Sequence, residues 1–256
     1  MGNDRPAVLI TGGAKRIGAV LSRSFADAGW HVIIHYGSSA SEAEAVAASL
    51  PSAETVHVDL IDSDGAVSLV QSLAGRLSDW RLLINCAAVF EPDEGEILDW
   101  RKYRKANIVN ARTPTMMAQA YLRSASAREG RRVIQFTDQK LENPNPDFFS
   151  YTISKHAMDA SIAMLAMQAN DPRDRVYGLA PGAILPSHDQ SEAETETSHR
   201  LNLLRRKTGA DEVANACLFL ADGHLASGQT IYVDSGQHLL SQPRDVIYLA
   251  REMENG

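Results

Sequence analysis

Short apolar runs alternate with longer helix-like stretches along the chain, and this alternation constrains the fold more than any other feature. The runs have the length of buried strands and comprise Ala7–Ile10, His31–Ile34, Thr55–Val58, Leu82–Asn85, Val133–Thr137, Val176–Leu179 and Thr230–Val233. The helix-like stretches are Ile17–Ala28, Ser41–Leu50, Asp64–Ser78, Trp100–Ser124, Tyr151–Ala169 and Asp211–Leu220. This pattern predicts βαβ units, and therefore an α/β, Rossmann-type, doubly wound parallel sheet of about seven strands with helices on both faces.

Length and composition indicate one domain over residues 1–256. Single α/β domains commonly reach this size, and the apolar fraction of 44% is enough for a core. No stretch is long and apolar enough to span a bilayer, and residues 1–6 carry no apolar signal region, so we expect a cytoplasmic protein without a membrane partner. The net charge of −7 argues against nucleic acid as a partner. Cys86 and Cys217 lie far apart and have neither metal nor redox spacing, so no metal site is expected.

A glycine-rich turn directly follows the first apolar run, in the segment Thr11-Gly12-Gly13-Ala14-Lys15-Arg16-Ile17-Gly18. Glycines at positions 12 and 13 allow unusual backbone angles and the close approach of a phosphate. A helix that begins near Arg16 would point free N–H groups at an anion. Arg16 stands where the common dinucleotide fingerprint has its middle glycine. The segment therefore predicts a phosphate-binding turn, with an ordinary strand-to-helix turn as the alternative.

Tyr151 and Lys155 form the second motif, because residues four apart lie on one face of a helix. The lysine ammonium is expected to lower the pKa of the phenol towards working pH and to make it a usable proton donor and acceptor. The alternative is a solvated lysine beside an interface aromatic. Asp138 precedes this pair, and the segment 142–146 interrupts the chain between them, so a loop must bring Asp138 to Tyr151.

Together these motifs resemble the short-chain dehydrogenase/reductase superfamily over nearly the whole chain. The resemblance rests on the turn from Thr11 to Gly18, Asp59, Asn85-Cys86-Ala87-Ala88, Asn110, Tyr151 with Lys155, Pro181-Gly182 and Val233-Asp234-Ser235-Gly236. Within it, the chain is most similar to the pteridine reductase and dihydromonapterin reductase group, on the basis of Lys15-Arg16-Ile17-Gly18, His35-Tyr36, Ser39-Ala40, Phe90 and Asp138.

The resemblance implies a set of site residues. The catalytic group would be Asn110, Asp138, Tyr151 and Lys155, with Asp138 where the superfamily normally has serine. The cofactor-binding residues would be Gly12, Lys15, Arg16, Ile17, Gly18, His35, Tyr36, Ser38, Ser39, Asp59, Leu60, Asn85, Ala87, Tyr151, Lys155, Pro181 and Gly182. The substrate-binding residues would be Arg16, Phe90, Asp138 and Tyr151.

The cofactor expected is NADP(H). Chains that select NAD usually end the second strand with an acidic residue, which repels a 2′-phosphate. Here that strand runs into the segment 35–39, which has no acid before Glu42, while Lys15 and Arg16 add positive charge nearby. The hydroxyls of Ser38 and Ser39, together with the N–H groups of a helix start, can hold a phosphate.

The substrate depends on Asp138. A carboxylate would oppose the negative charge that develops on a carbonyl oxygen, whereas the C=N bond of a dihydropterin or dihydrofolate takes a proton at nitrogen. Phe90 would supply a face for ring stacking, or would simply be a core residue. The leading prediction is an NADPH-dependent oxidoreductase that transfers a hydride to such a C=N bond. A protonated Asp138 would instead suit an NADPH-dependent carbonyl reductase for a 3-oxoacyl or ketone substrate, and a non-catalytic NADP(H)-binding protein is the second alternative.

The family also implies a substrate lid over residues 183–208 and a homotetramer. The stretch 187–199 is polar and lacks periodicity, which fits either a mobile lid or a solvated surface loop. The helix that carries Tyr151 is apolar nearly all round, through Met158, Ile162, Met164, Leu165 and Met167, and such a helix needs cover on its outer face. The tail after Pro243 is expected to pack on a neighbouring subunit.

Overall fold

The computed structural model describes residues 5–93, 95–187 and 189–255; residues 1–4 of the predicted domain and His188 of the predicted lid lie outside the described residues. Its strands form one parallel sheet in the order β3-β2-β1-β4-β5-β6-β7. The strands are β1 (Ala7–Ile10), β2 (His31–Tyr36), β3 (Ala53–His57), β4 (Trp80–Asn85), β5 (Arg132–Phe136), β6 (Arg175–Pro181) and β7 (Thr230–Val233). All seven predicted strands and the doubly wound parallel sheet are confirmed.

Helices cover both faces of the sheet. They are α1 (Arg16–Asp27), α2 (Ala40–Ala48), α3 (Ser63–Arg76), α4 (Trp100–Asn107), α5 (Thr113–Ser124), α6 (Phe149–Gln168), α7 (Glu192–Ser198), α8 (Ala210–Ala221) and α9 (Val246–Asn255). Helices α1 and α8 pack together on one face, and α3 and α5 pack together on the other. In the described part of the chain, no helix is long and apolar enough to cross a membrane.

The central strands are apolar throughout because both of their faces are covered. Along β1, Val8 and Ile10 point into the core beneath α1, where they join Phe25. The alternate residue Leu9 points into the opposite core and joins Tyr121 of α5. Successive side chains of a strand face opposite sides, so burial on both faces yields the continuous apolar run seen in the sequence.

One predicted helix, Trp100–Ser124, is interrupted in the structure. Helix α4 ends at Asn107, a π-helical turn spans Ile108–Arg112, and α5 follows. A π turn inserts extra chain into a helix and changes which side chains face inward, and such turns are frequent at functional sites. Here the turn buries Asn110 completely.

The order of strands changes direction between β1 and β4, since β1 to β3 extend to one edge of the sheet and β4 to β7 extend to the other. In parallel α/β sheets, ligands bind outside the carboxyl ends of the strands at such a switch point. The glycine turn follows β1, and the segment that begins at Cys86 follows β4. These two segments therefore lie side by side at the expected binding edge.

Candidate active site

A cleft of about 420 Å³ opens at the carboxyl ends of the strands. Its lining includes Gly12 of the turn after β1 as well as Tyr151 and Phe90. Of the residues predicted for the site, those that line the cleft are Gly12, Lys15, Arg16, Ile17, Gly18, Ala87, Phe90, Asp138, Tyr151, Lys155, Pro181 and Gly182. The predicted phosphate turn and three of the four predicted catalytic residues, Asp138, Tyr151 and Lys155, thus line one cavity.

The turn after β1 admits only glycine at two positions. Gly12 has a φ of +67°, and a Cβ on it would come within 3.2 Å of the Cβ of Ala87. A Cβ on Gly18 would lie 2.1 Å from the backbone O of Gly12. The N-cap residue of α1, Lys15, supplies no capping side chain, which leaves the first N–H groups of that helix available to an anion. This turn fits a dinucleotide pyrophosphate.

Two side chains hold this turn in place from behind. The hydroxyl oxygen of Thr11 accepts hydrogen bonds from the N–H groups of Cys86 at 3.0 Å and Ala87 at 3.1 Å, which joins the two loops at the switch point. His35 accepts from the N–H of Gly12 at 3.2 Å through Nδ1 and donates to the Val58 carbonyl at 2.9 Å through Nε2. Burial lowers the pKa of His35 to about 4, so the ring is neutral. His35, predicted as a cofactor-binding residue, supports the turn with both ring nitrogens.

The positive charge predicted beside the turn is partly neutralised. Lys15 forms an ion pair with Glu42 in the first turn of α2, with 2.6 Å between Nζ and Oε1. Arg16 has a φ of +52° and donates from its guanidinium to the carbonyl of Leu185 at 3.3 Å. Arg16 therefore connects the turn to the segment after β6.

The other predicted cofactor residues lie outside the cleft lining, at the carboxyl ends of β2, β3 and β4: Tyr36, Ser38, Ser39, Asp59, Leu60 and Asn85. Ser38 is exposed, and the Ser39 hydroxyl does not cap α2. Asn85 is buried and donates to the carbonyl of Pro114 at 3.1 Å and to Oε1 of Gln135 at 2.9 Å. Its amide thus joins β4 to neighbouring elements.

Tyr151 and Asp138 meet in the cleft. The Tyr151 hydroxyl donates to Oδ2 of Asp138 at 2.6 Å, and the backbone N–H of Lys140 donates to Oδ1 at 2.8 Å. Lys155 donates from Nζ to the carbonyl of Phe136 at 2.6 Å, and its ammonium lies 5.6 Å from the centroid of the Tyr151 ring. The loop between Asp138 and α6 brings the two residues together, as the sequence required.

The protonation of this group differs from the prediction. Burial, followed by the charge of Asp138, raises the pKa of Tyr151 well above its usual value. The predicted lowering by Lys155 is therefore wrong, because burial and the adjacent carboxylate outweigh the more distant ammonium. Burial also lowers the pKa of Lys155 to about 8 and raises the pKa of Asp138, against the hydrogen bond from Tyr151. The phenol therefore keeps its proton and donates a hydrogen bond to the carboxyl group of Asp138.

Asn110 lies behind this group in the π-helical turn. Its Oδ1 accepts from the N–H of Val89 at 2.8 Å, and its Nδ2 donates to the Val89 carbonyl at 2.9 Å. The same Nδ2 donates to the hydroxyl of Ser154 at 3.0 Å, one residue before Lys155. Asn110 therefore fixes the loop that carries Phe90 against the helix that carries Tyr151 and Lys155.

Phe90 packs among aromatic side chains at the edge of the cleft. Its ring stacks on Phe148 with 4.0 Å between centroids and presents an edge contact to Tyr151 at 4.7 Å. It also lines the cleft. Aromatic neighbours thus hold the ring in the wall of the cleft.

Sequence reasoning missed two helices that close the cleft. The polar stretch predicted to lack periodicity contains α7, which begins with a capping box formed by Ser191 and Glu194. The tail was expected on a neighbouring subunit, but α9 packs on α7 of its own chain. Arg251 pairs with Glu194 at 2.8 Å and with Asp189 at 2.9 Å. The spacing of Ser191 and Glu194 is that of a capping box and could have predicted the start of α7. No sequence pattern indicated which element the tail contacts.

Comparison with known proteins identifies the family. A family model described as enoyl-(acyl carrier protein) reductase, of the short-chain dehydrogenase/reductase type, matches residues 12–238. The chain belongs to the short-chain dehydrogenase/reductase family. The resemblance inferred from the motifs is therefore confirmed, as is the assignment to the oxidoreductases.

Similar proteins include pterin and folate reductases. Pteridine reductase 1 of Leishmania tarentolae is 26% identical, with 91% of this chain and 96% of that protein covered. Dihydromonapterin reductase of Escherichia coli O139:H28 is 25% identical, with 93% of this chain and 100% of that protein covered. The crystal structure of FolM alternative dihydrofolate reductase 1 from Brucella canis, complexed with NADP, superposes with a TM-score of 0.86 at 33% identity and covers 94% and 96% of the two chains.

Proposed function

We propose that this protein is an NADPH-dependent reductase that transfers a hydride to the C=N bond of a dihydropterin or dihydrofolate. The observation that carries the proposal is the 2.6 Å hydrogen bond from Tyr151 to Asp138 in a cleft that also contains the glycine turn. The names of similar proteins, which include pteridine, dihydromonapterin and dihydrofolate reductases, support the same substrate class.

The residues of the cleft fit NADPH. The turn from Gly12 to Gly18 lets a pyrophosphate approach the backbone closely, and the uncapped N–H groups at the start of α1 would donate to it. Lys155 would hold the nicotinamide ribose, and Ser38 and Ser39 would hold the 2′-phosphate. The similar Brucella structure is a complex with NADP. When bound, NADPH supplies the hydride.

The side chains of this chain supply the proton. Tyr151 donates its hydroxyl proton to the ring nitrogen of the substrate as the neighbouring carbon accepts the hydride, and a protonated Asp138 carboxyl returns a proton to the phenol oxygen. Burial raises the pKa of Asp138, which favours the protonated form that this step requires. Lys155 is held by Phe136 and supports the ribose. Phe90 orients the planar ring by stacking.

A second candidate is the reduction of a carbonyl compound, and the raised pKa of Asp138 favours it. A protonated carboxyl can donate to a carbonyl oxygen in place of the usual serine hydroxyl. An ionised Asp138 would instead oppose the developing alkoxide. The two candidates therefore differ in the effect of replacing Asp138 by serine.

The proposal includes a substrate lid and a homotetramer. The lid comprises the described residues between 183 and 208, of which Ser187, Ser198 at the end of α7 and His199 line the cleft. On α6, Met164 and Met167 are 53% and 78% exposed, which supports burial of this helix against another copy. A sedimentation mass of four chains is expected, and a single-chain mass at micromolar concentration would remove the claim. The cytoplasmic location expected from the sequence stays a prediction.

The activity is tested by following NADPH oxidation with a panel of dihydropterins, dihydrofolate and simple ketones. We expect the fastest turnover with a dihydropterin or dihydrofolate. Faster turnover with the ketones would favour the second candidate. Tight binding of NADPH without turnover of any of these compounds would indicate a non-catalytic NADP(H)-binding protein.

A further inference from the structure

The C-terminal segment brings a carboxylate into the cleft beside the catalytic residues. Asp245 precedes α9, and its Oδ2 accepts a hydrogen bond from Nζ of Lys140 at 3.2 Å. The same ammonium donates to the backbone carbonyl of Asp147 at 2.6 Å. Both charged side chains are largely withdrawn from solvent, with 5% of Lys140 and 13% of Asp245 exposed. Desolvating such a pair costs much of its Coulombic gain, so stability alone is a weak reason for it.

Lys140 is joined to Asp138 through its backbone. Its N–H donates to Oδ1 of Asp138, which leaves Oδ2 to the hydroxyl of Tyr151. Both residues belong to the short turn that begins at Asp138 and includes the 3₁₀ segment Gln139–Leu141. Because Asp245 holds the Lys140 side chain, the C-terminal segment also holds the turn that orients the Asp138 carboxylate.

Charged or titratable groups from four segments act on the Asp138–Tyr151 couple. They are Lys140 of the turn, Lys155 of α6, Cys86 after β4 and Asp245 of the C-terminal segment. The ammonium of Lys140 lowers the pKa of Asp138, and the carboxylate of Asp245 raises the pKa of Tyr151. Cys86 carries no charge near neutral pH, since burial raises its pKa to about 12. The two members of the ion pair therefore act on the couple with opposite sign.

We infer that Lys140 and Asp245 are a positioning pair, which orients Asp138 towards Tyr151 and balances the charge beside it, so that the C-terminal segment is part of the active site. Neither side chain needs to touch the reacting atoms. The inference rests on the proposed function, because it takes Asp138 and Tyr151 as the groups that move the proton.

Three variants test it: Asp245→Asn, Lys140→Met and the double variant. The pKa of Asp138 is measured in the protein without substrate by ¹³C NMR titration of its carboxyl, assigned by the signal lost in Asp138→Asn. We expect Asp245→Asn to lower this pKa and Lys140→Met to raise it, each by about half a unit or more. In the double variant the pKa returns close to that of the unmodified protein, because both charges are gone.

Turnover of a dihydropterin at saturating NADPH gives the second readout. The pH profile of kcat should move to lower pH in Asp245→Asn and to higher pH in Lys140→Met. In the double variant the pH profile should again match that of the unmodified protein. Its kcat should stay about tenfold lower or more, because the ion pair no longer anchors the turn that begins at Asp138. Glu252→Gln makes the same change of charge on an exposed position of α9 and should leave both readouts unchanged.

Shifts of the Asp138 pKa in opposite directions in the two single variants would support the positioning role. A purely structural role would lower the melting temperature and leave this pKa unchanged. An unchanged pKa in both variants, or shifts of the same sign, overturns the inference. If the unmodified protein reduces no dihydropterin, the proposed function fails, and the NMR titration still decides whether the pair acts on Asp138. If one single variant does not fold, the other single variant and the double variant give the same comparison.

Discussion

The Tyr151 hydroxyl donates to the Asp138 carboxylate across 2.6 Å, so phenol and carboxylate act as one unit in the cleft. The arrangement keeps the proton on the phenol, because burial and the neighbouring charge both raise its pKa. In the proposed reaction, Asp138 is first protonated, and its proton then replaces the one that the phenol gives to a substrate nitrogen. Lys155 lies on the next turn of α6. It takes no part in this proton transfer, since its ammonium donates to the carbonyl of Phe136.

Removing the phenol hydroxyl tests its role directly. Tyr151→Phe should lower kcat by a factor of about 10² or more, because the substrate nitrogen loses its proton donor, while NADPH affinity stays nearly unchanged. Stopped-flow turnover and fluorescence titration of NADPH measure the two effects. Tyr103→Phe, in α4 where the ring stacks on Trp100, is the matched control. Turnover of Tyr151→Phe close to that of this control would rule out the assignment.

The glycine turn is tested with a methyl group. Gly18→Ala places a Cβ 2.1 Å from the backbone O of Gly12, so the turn must shift, and we expect NADPH affinity to fall about tenfold or more. Gly75→Ala in α3 is the control, because nothing lies within 4 Å of the added methyl. That variant should bind NADPH normally and unfold at an equal or higher temperature. Equal NADPH affinity in the two variants would contradict the placement of the pyrophosphate at this turn.

Cofactor preference is tested at the end of β2. Ser38→Asp places a carboxylate where the 2′-phosphate is expected, and we expect the preference for NADPH over NADH to fall about tenfold or more. Ser78→Asp, the same change at an exposed position between α3 and β4, should leave the preference as it was. The measurement is kcat/KM with each cofactor. Equal values of kcat/KM for NADPH and NADH in the unmodified protein would contradict the cofactor assignment.

Much of the fold follows from the sequence, because both faces of a central strand such as β1 must be apolar, and Gly12 marks the turn after it. The need to bring Asp138 to Tyr151 could also be inferred from the loop between them. The direction of the Tyr151 pKa could not, since it depends on burial and on the 2.6 Å distance to the carboxylate. Sequence patterns describe neighbours along the chain, so they gave no sign that Asp245 reaches Lys140.

The charge at the glycine turn also depends on a contact between residues that are far apart in the sequence. Lys15 and Glu42 were weighed separately in the sequence, as a cation near the phosphate and as the first acid after β2. In the structure they form one ion pair at 2.6 Å. The positive charge at the turn is therefore smaller than a count of lysine and arginine suggests, and the fit of the phosphate depends more on backbone N–H groups.

The substrate assignment depends on Asp138, and activity of the Asp138→Ser variant tests it most directly. The assay compares kcat/KM of the unmodified protein and the variant with a dihydropterin and with a simple ketone, with NADPH affinity as the control. We predict that dihydropterin reduction falls by about 10² or more and that NADPH affinity is unchanged. Ketone reduction should be retained or increased, because a serine hydroxyl stays neutral, whereas the Asp138 carboxyl can ionise and then oppose the developing alkoxide. Preference of the unmodified protein for ketones, with loss of that activity in Asp138→Ser, would contradict this account and establish the aspartate as a protonated donor for carbonyl reduction.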